Sequence, residues 1–397
     1  MLASPQSPGE SGHQPTLGDR VVKYLFRALL DTRANVRIAV KLPNLYWTLR
    51  ILLQPDILLG QTYVDGHWSV EPEKLFEFLY FIRAQESSRL QGWFLLSKRT
   101  HLLRDAIKQR VVPVRATRAV VEHYNTDPLF MSFILGKSLS YTCAFFDQSH
   151  SRLDDAQQNK LDFIATRIGL SKDHRVLDLG TGWGYAPFPL AEEIGCHVTG
   201  ITISEVQVDF CEKRRQESPA RDRLTFVCSD YADFSPPGPF DRVISMGMLE
   251  HVGKYQYRNF FDRVAEFLDG DGVGLIHSIV ERREISPDAW IDRNVFPGGY
   301  IPTISEVVEG IESSACKLIA IHTHDKGNYF KTLEAWKNNL FENRSQCEER
   351  LNQLGLSTSQ ATKVIRIWEY FLSTSQVAFS SSFGECQVCQ FVISRRR

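Results

Sequence analysis

From about residue 121 onward, short apolar runs alternate with longer stretches of helical period. The runs read RVLDLG, HVTGITI, LTFVCSD, DRVISMG and GVGLIHSIV. Strands separated by helices predict an α/β fold built on a parallel, doubly wound sheet. Ligands of such sheets bind outside the carboxyl ends of the strands, so chemistry-bearing residues are expected just after each run. Upstream, residues 19–120 mix amphipathic helical runs (RVVKYLFRALLDTR, PEKLFEFLYFIRAQ) with strand-like pieces (NVRIAVKL, QTYVDGHW), and the Asp-Gly pair marks a turn. This predicts a small α+β domain, followed by a catalytic unit over residues 121–397. Residues 1–18 are rich in Ser, Pro and Gly and are expected to be disordered. No internal repeat interrupts this plan.

Composition changes the picture only locally. With 43% hydrophobic and 23% charged residues the balance is that of an ordinary globular chain, and a net charge of -1 gives no overall field for nucleic acid. Residues 98–118 nevertheless carry seven Lys or Arg and a single acid, Asp105. Such a run is usually a solvated helix face. The eight cysteines have no framework spacing, and the N-terminus lacks a charged-then-apolar signal pattern, so a cytoplasmic chain with reduced thiols is expected. Cys386 and Cys389 form a lone CxxC with no second pair, which reads as strand packing; no metal site is expected. No stretch reaches the roughly 18 uninterrupted apolar residues of a membrane span. The best candidate, LYWTLRILLQPDILLG, is broken by Arg50, Pro55 and Asp56.

The segment VLDLGTGWGYAP is a strand, a glycine-rich turn and a helix start. Gly180, Gly182 and Gly184 allow a sharp turn and close approach to a ligand, although a ligand-free strand–helix turn would read the same way. A dinucleotide site calls for an acid about 20 positions on. Here the second strand ends HVTGITIS, with Thr202 and Gln207 in that region and no acid. Asp178 stands before the glycines, and Asp230 and Tyr231 follow the third strand. Two acids so placed suit a nucleoside with an amino-acid tail, one for an ammonium and one for an adenine amine. S-adenosylmethionine is therefore favoured over NAD.

At these residues the sequence resembles the cyclopropane fatty acid synthases and the related mycolic acid cyclopropane synthases, over about residues 35 to 395. The resemblance is carried by LGQTYVDGHW, VEHYNTDPLFMSFILG, SLSYTCAFF, AQQNKLDFIATRIGL, LDLGTGWG, GITISEVQ, SDYADF, GMLEHVGKYQYRNFF, LIHSIV, AWIDRNVFPGGYIP and KTLEAW. It implies a Rossmann-like methyltransferase sheet with a small N-terminal domain. Tyr141, Gly180, Gly182, Thr202, Gln207, Asp230 and Tyr231 match positions that hold S-adenosylmethionine in the family, and Thr142, Asp178 and Gly184 adjoin them. Cys143, Glu250, His277, Ile279 and Tyr329 match the set that holds a bicarbonate ion beside the reacting carbons. The chain departs from the pattern at Thr181, where Cys is usual, at Tyr185, where a small residue is common, and at Thr142, where Ser is common. The segment FSSSFGECQVCQFVI also lacks the usual Arg after Phe379.

The implied reaction adds a methylene across a cis double bond of an unsaturated phospholipid acyl chain. The alkene takes the sulfonium methyl, a carbocation forms, and a base removes a proton so that the ring closes. A weak nucleophile needs alignment, and a cation needs water excluded. Phe145, Phe146, Trp183 and Tyr300 are candidates to steady the cation with their ring faces. Taken singly, Cys143 reads as a small buried hydrophobe, Glu250 as a helix N-terminal acid and His277 as a core histidine. Only the joint pattern favours chemistry. His251 is expected to be structural. The implied location is cytoplasmic and peripheral to a membrane, with residues 98–118 contributing about 1 kcal/mol per basic residue at an anionic surface. Family members are often dimers, so a homodimer is one expected assembly. Two other functions remain open: a methyltransferase that stops short of the ring, and a non-catalytic lipid-binding protein on this fold.

Overall fold

The computed structural model describes residues 38–40, 54–85, 126–149, 151–282, 288–380 and 386–396. The tail 1–18 and the basic run 98–118 lie outside the described residues. The central sheet has seven strands, in the spatial order Leu224–Cys228, His197–Thr202, Arg175–Leu179, Phe240–Met246, Leu268–Glu281, Cys386–Arg395 and Cys316–His324. Its parallel part consists of β3 (Arg175–Leu179), β4 (His197–Thr202), β5 (Leu224–Cys228), β6 (Phe240–Met246) and β7 (Leu268–Glu281). Because β3 lies between β4 and β6, the winding reverses at its carboxyl end, which is where the glycine turn begins.

The continuous apolar runs follow from burial on both faces. Along β3, Leu177 and Leu179 enter the core beside Phe260 and Phe267, while Val176 enters the opposite core beside Leu161 and Ile164. β6 and β7 divide in the same way, with Val243 and Ile276 on one side and Ile244 and Leu275 on the other. This is the two-residue period of a strand.

The sheet departs from the all-parallel expectation at one edge. β9 (Cys386–Arg395) inserts antiparallel between β7 and β8 (Cys316–His324). Cys386 and Cys389 are buried in β9, and none of the eight cysteines forms a disulfide.

QTYVDGHW was expected as a strand, and most of it is not. A helix starting on a proline, Pro55–Val64, runs through its first half, and Gly66 turns the chain at φ +78°. Only Trp68–Val70 (β2) is extended, and it pairs antiparallel with Ile38–Val40 (β1). Tertiary packing overrides the β propensity of Tyr63 and Val64. The Tyr63 hydroxyl donates to Glu369 at 2.8 Å, and its ring lies 4.9 Å from Trp68. Glu369 belongs to the long helix Thr358–Ala378, and Tyr63, Trp68 and Phe78 share one core with Trp290, Trp336 and Tyr370. That helical layer reaches the sheet's ligand side through Tyr141, whose ring lies 5.5 Å from Trp336 and 5.8 Å from Trp368. No helix among the described residues is long and apolar enough to cross a membrane.

Candidate active site

The amides of Gly180 and Thr181 both donate to the Ile201 carbonyl, at 3.0 and 2.9 Å, and so clamp the turn to the end of β4. Gly180, Gly182 and Gly184 all have positive φ, at +82°, +55° and +78°. Their surroundings differ. A Cβ on Gly182 would meet nothing within 4 Å, so this face of the turn is open to a ligand. A Cβ on Gly184 would lie 2.8 Å from Phe188 Cε2 and 3.0 Å from Cys211 Sγ, so this glycine serves close internal packing.

Asp178 precedes the turn on β3 and is only 1% exposed. Neither of its carboxylate oxygens has a hydrogen-bond partner, and burial pushes it up to about 7, with Thr181 and Lys160 opposing the shift in part. Thr181 points toward β4, where a Cβ on Gly200 would touch its hydroxyl at 2.6 Å. At the end of β4, Thr202 donates to Gln207 Oε1 at 2.6 Å, and Ser204 caps the helix Glu205–Glu217 that carries Gln207. Beyond β5, Asp230 accepts the Ala232 amide at 2.9 Å. Tyr231 turns into the core, edge-on to Phe260 at 5.3 Å, and burial raises its phenol above the usual range.

A residue absent from the sequence candidates joins these pieces. Lys160, on the helix Leu153–Arg167, is fully buried. It donates to Thr142 Oγ1 at 2.6 Å and Ser140 Oγ at 3.0 Å, and its ammonium sits 4.5 Å over the Tyr185 ring. Burial pulls it down to about 7, with Cys143 and Asp178 opposing. The Tyr185 hydroxyl donates to the Gln157 carbonyl, and the Gln157 amide donates to the Thr142 carbonyl at 2.9 Å. The departures at Thr142 and Tyr185 therefore lie in one network around Lys160. The available clue was a lysine at helical spacing between Ala156 and Ile164, on the apolar side of that helix.

The second group of candidates is also contiguous. Cys143, Phe145 and Val388 form one small buried cluster with Tyr329 packed on it. Val388 pairs with Ile279 across β7 and β9. The Ile279 amide donates to Glu250 Oε1 at 2.7 Å, so in this structure that amide is held by Glu250. Glu250 sits in the turn Leu249–His251 beyond β6; its Oε2 is buried without a hydrogen-bond partner, and burial pushes the carboxyl up to about 7. His277 is 2% exposed, and its ring stacks on Phe145 at 5.9 Å. Burial, with Lys160, His324 and Arg167 nearby, holds it well below the usual imidazole range, so it is neutral. Burial pushes the Cys143 thiol up to about 12, and it donates to the Ala144 carbonyl at 3.3 Å. The cluster thus holds a protonated thiol, a neutral imidazole and a carboxyl able to titrate near neutrality.

The aromatic candidates separate. Phe145 is in the cluster, Trp183 packs edge-on to Phe210 at 5.4 Å, and the Tyr300 hydroxyl donates to Glu306 at 2.9 Å. Phe146 is held through its amide by Asn328 at 2.9 Å. His251 is half-buried, edge-on to Phe296 at 5.7 Å, and the burial of its ring pulls it down to about 4. No cluster of His, Cys, Asp and Glu suited to a metal ion occurs among the described residues.

The chain has recognisable relatives among known proteins. It is 29% identical over 371 residues to the cyclopropane-fatty-acyl-phospholipid synthase of Escherichia coli (strain K12), covering 92% of this chain and 90% of that one. It is also 29% identical to a probable fatty acid methyltransferase of Pseudomonas putida, over 67% of this chain and 66% of the relative. Among solved structures, it superposes on the mycolic acid cyclopropane synthase CmaA1 complexed with SAH and CTAB with a TM-score of 0.62 and 26% identity, covering 70% of this chain and 97% of that one. A coclaurine N-methyltransferase, at 20% identity, TM-score 0.70 and coverage of 85% and 99%, shares the fold. The family model described as mycolic acid cyclopropane synthetase matches residues 112–391. This chain belongs to the mycolic acid cyclopropane synthetase family, whose members are S-adenosylmethionine-dependent methyltransferases.

Proposed function

We propose that this protein transfers a methylene group from S-adenosylmethionine to the cis double bond of unsaturated phospholipid acyl chains at a membrane surface, closing a cyclopropane ring with a bound bicarbonate as general base. The observation that carries this reading is the adjacency of two buried half-sites. One is the open Gly182 turn beside the unpartnered Asp178 carboxyl; the other is the Cys143–Glu250–His277–Tyr329 group. Lys160 links them, holding the Thr142 hydroxyl next to Cys143 while its charge acts on both Cys143 and Asp178.

The cofactor supplies an electrophilic methyl on a sulfonium sulfur. Asp178, Gly180, Gly182, Thr202 and Gln207 would hold it, and the orphaned acid fits its ammonium. The five residues matched to the bicarbonate set are joined through contacts of one patch, which supports the base assignment. The burial of Cys143, Glu250 and His277 keeps water from a cationic intermediate. The name of the Escherichia coli relative supports ring closure on a phospholipid, whereas that of the Pseudomonas putida relative supports methyl transfer to a fatty acid. Expression in cells making unsaturated phospholipids separates the two. Gas chromatography–mass spectrometry of the fatty acid methyl esters should show an added CH₂, and proton NMR should show upfield ring protons. Added carbon with olefinic protons retained would replace this reading by simple methylation.

The cofactor's affinity should depend on pH through Asp178. Its pKa is raised in the free protein, so meeting an ammonium releases a proton. Affinity should therefore fall by about tenfold per pH unit as pH drops below about 7. The same shift means that stability contributed by protonated Asp178 is full below 3.8 and is lost as pH rises through about 7. Calorimetry from pH 5 to 7 tests this, and Asp178→Asn should flatten the slope. Lys160 and Thr181 face the same carboxyl, so a slope persisting in Asp178→Asn would belong to Lys160 and remove Asp178 from the role.

Residues 98–118 are proposed to recruit the protein to anionic bilayers. Co-sedimentation with anionic vesicles should weaken with salt, because exposed charges are screened. Equal binding to anionic and neutral vesicles would make the run a solvated face.

A further inference from the structure

A polar chain links His277 to the far edge of the sheet. Gln390 of β9 stands between the two strands that carry histidines, opposite His277 on β7 and His322 on β8. It is fully buried. Its Oε1 accepts a hydrogen bond from Arg167 Nη1, and its Nε2 lies 3.3 Å from His277 Nδ1. The same Arg167 nitrogen lies 3.0 Å from His324 Nε2. We propose that Arg167 and Gln390 set the tautomer of His277, so that it serves the buried cluster as an Nε2–H donor and is not the group that accepts the proton.

The argument uses donors and acceptors alone. A guanidinium has five N–H donors and no acceptor. The Gln390 atom that faces Arg167 must therefore be its carbonyl oxygen, and the amide orientation follows. That orientation turns the NH₂ group toward His277 Nδ1. Two donors cannot bond to each other, so Nδ1 must offer its lone pair and the ring proton must sit on Nε2, across the ring. An imidazolium would oppose two N–H groups in a buried site, and the neutral state of His277 agrees with this. To take a proton the neutral ring would have to use Nδ1, which Gln390 already fills. An oxygen must then accept it, either on an anion held by the Nε2–H or on Glu250, whose Oε2 is buried without a partner. Arg167 and Gln390 are thus positioning residues. The donor role of His277 rests on the function proposed above; the tautomer does not.

The test is long-range ¹H–¹⁵N correlation NMR on the full-length protein with ¹⁵N-labelled histidine, His277 being assigned by loss of its signals in His277→Gln. Wild type should show the Nε2–H form. Gln390→Glu places a carboxylate between Arg167 and the ring, can accept from both, and should switch His277 to the Nδ1–H form. Turnover should then fall by about ten- to a hundredfold, the loss of one charge-assisted hydrogen bond, with S-adenosylmethionine affinity unchanged. Arg167→Lys keeps a donor on Gln390 and should keep the wild-type tautomer, whereas Arg167→Met frees the amide and should leave a mixture; this pair serves if Gln390→Glu does not fold. An Nδ1–H form in wild type, or no change of tautomer in Gln390→Glu and Arg167→Met, overturns the assignment. A switched tautomer with undiminished turnover overturns the donor role. The expected tautomers in a protein that makes no cyclopropane would instead count against the proposed function and leave the assignment standing.

Discussion

Gly182→Val should abolish S-adenosylmethionine binding while leaving the protein folded. Gly182 has a φ of +55°, and a Cβ there would meet no protein atom within 4 Å. The fold thus loses only the strain of a left-handed non-glycine residue, about 1–2 kcal/mol. The new side chain instead projects into the open face of the turn, where a ligand's approach to the backbone depends on there being no side chain. Calorimetry should show no binding heat, with a small fall in melting temperature. Gly184→Val is the informative contrast. Its Cβ would collide with Phe188 and Cys211, at 2.8 and 3.0 Å, so it should cost much more stability. If Gly182→Val binds as tightly as wild type, the turn is not the cofactor site.

Glu250→Ala should slow turnover by about tenfold to more than a hundredfold, the equivalent of roughly 1–3 kcal/mol felt in the transition state, with cofactor affinity unchanged. The carboxylate holds the Ile279 amide at 2.7 Å, and its removal leaves that donor unpaired at the site. Glu250→Gln separates structure from charge. Its carbonyl can still accept from Ile279, so stability should recover, but it cannot carry a negative charge, so turnover should not. Cys143→Ser should be milder, because a hydroxyl can still donate as the thiol does to Ala144. In rigorously degassed buffer, added bicarbonate should raise the wild-type rate and leave Glu250→Ala nearly unaffected. If wild type turns over equally fast without bicarbonate, the ion is not the base. With His277 Nδ1 engaged by Gln390, the proton would then pass to Glu250 itself.

The catalytic core was legible because its signals are local. A parallel strand covered on both faces is largely apolar, as at Val176, Leu177 and Leu179, and a turn that leaves it sharply needs glycine, as at Gly180 and Gly182. Once strand ends are located, the winding of the sheet brings Asp178, Thr202 and Glu250 to one side of it. The helix at Pro55–Val64 was not legible, because the strand preference of Tyr63 and Val64 is weaker than the burial of Tyr63 against Glu369 and Trp68. The antiparallel insertion of β9 was equally hidden, since a buried apolar run carries no direction.

The chain by itself determined the five parallel strands β3 to β7 and the glycine turn, each set by neighbours a few positions away, together with the chemical types of the candidate residues. Tertiary structure alone decided how their polar atoms are satisfied. Lys160 reads locally as an ordinary helix lysine; only folding removes it from water and joins it to Ser140 and Thr142. The amide of Ile279 is spent on Glu250, 29 residues away, and Gln390 is oriented by Arg167, 223 residues away. The physical reason is that an exposed polar group can bond to water in any direction, whereas a buried one must find a partner from whichever segment folding brings beside it.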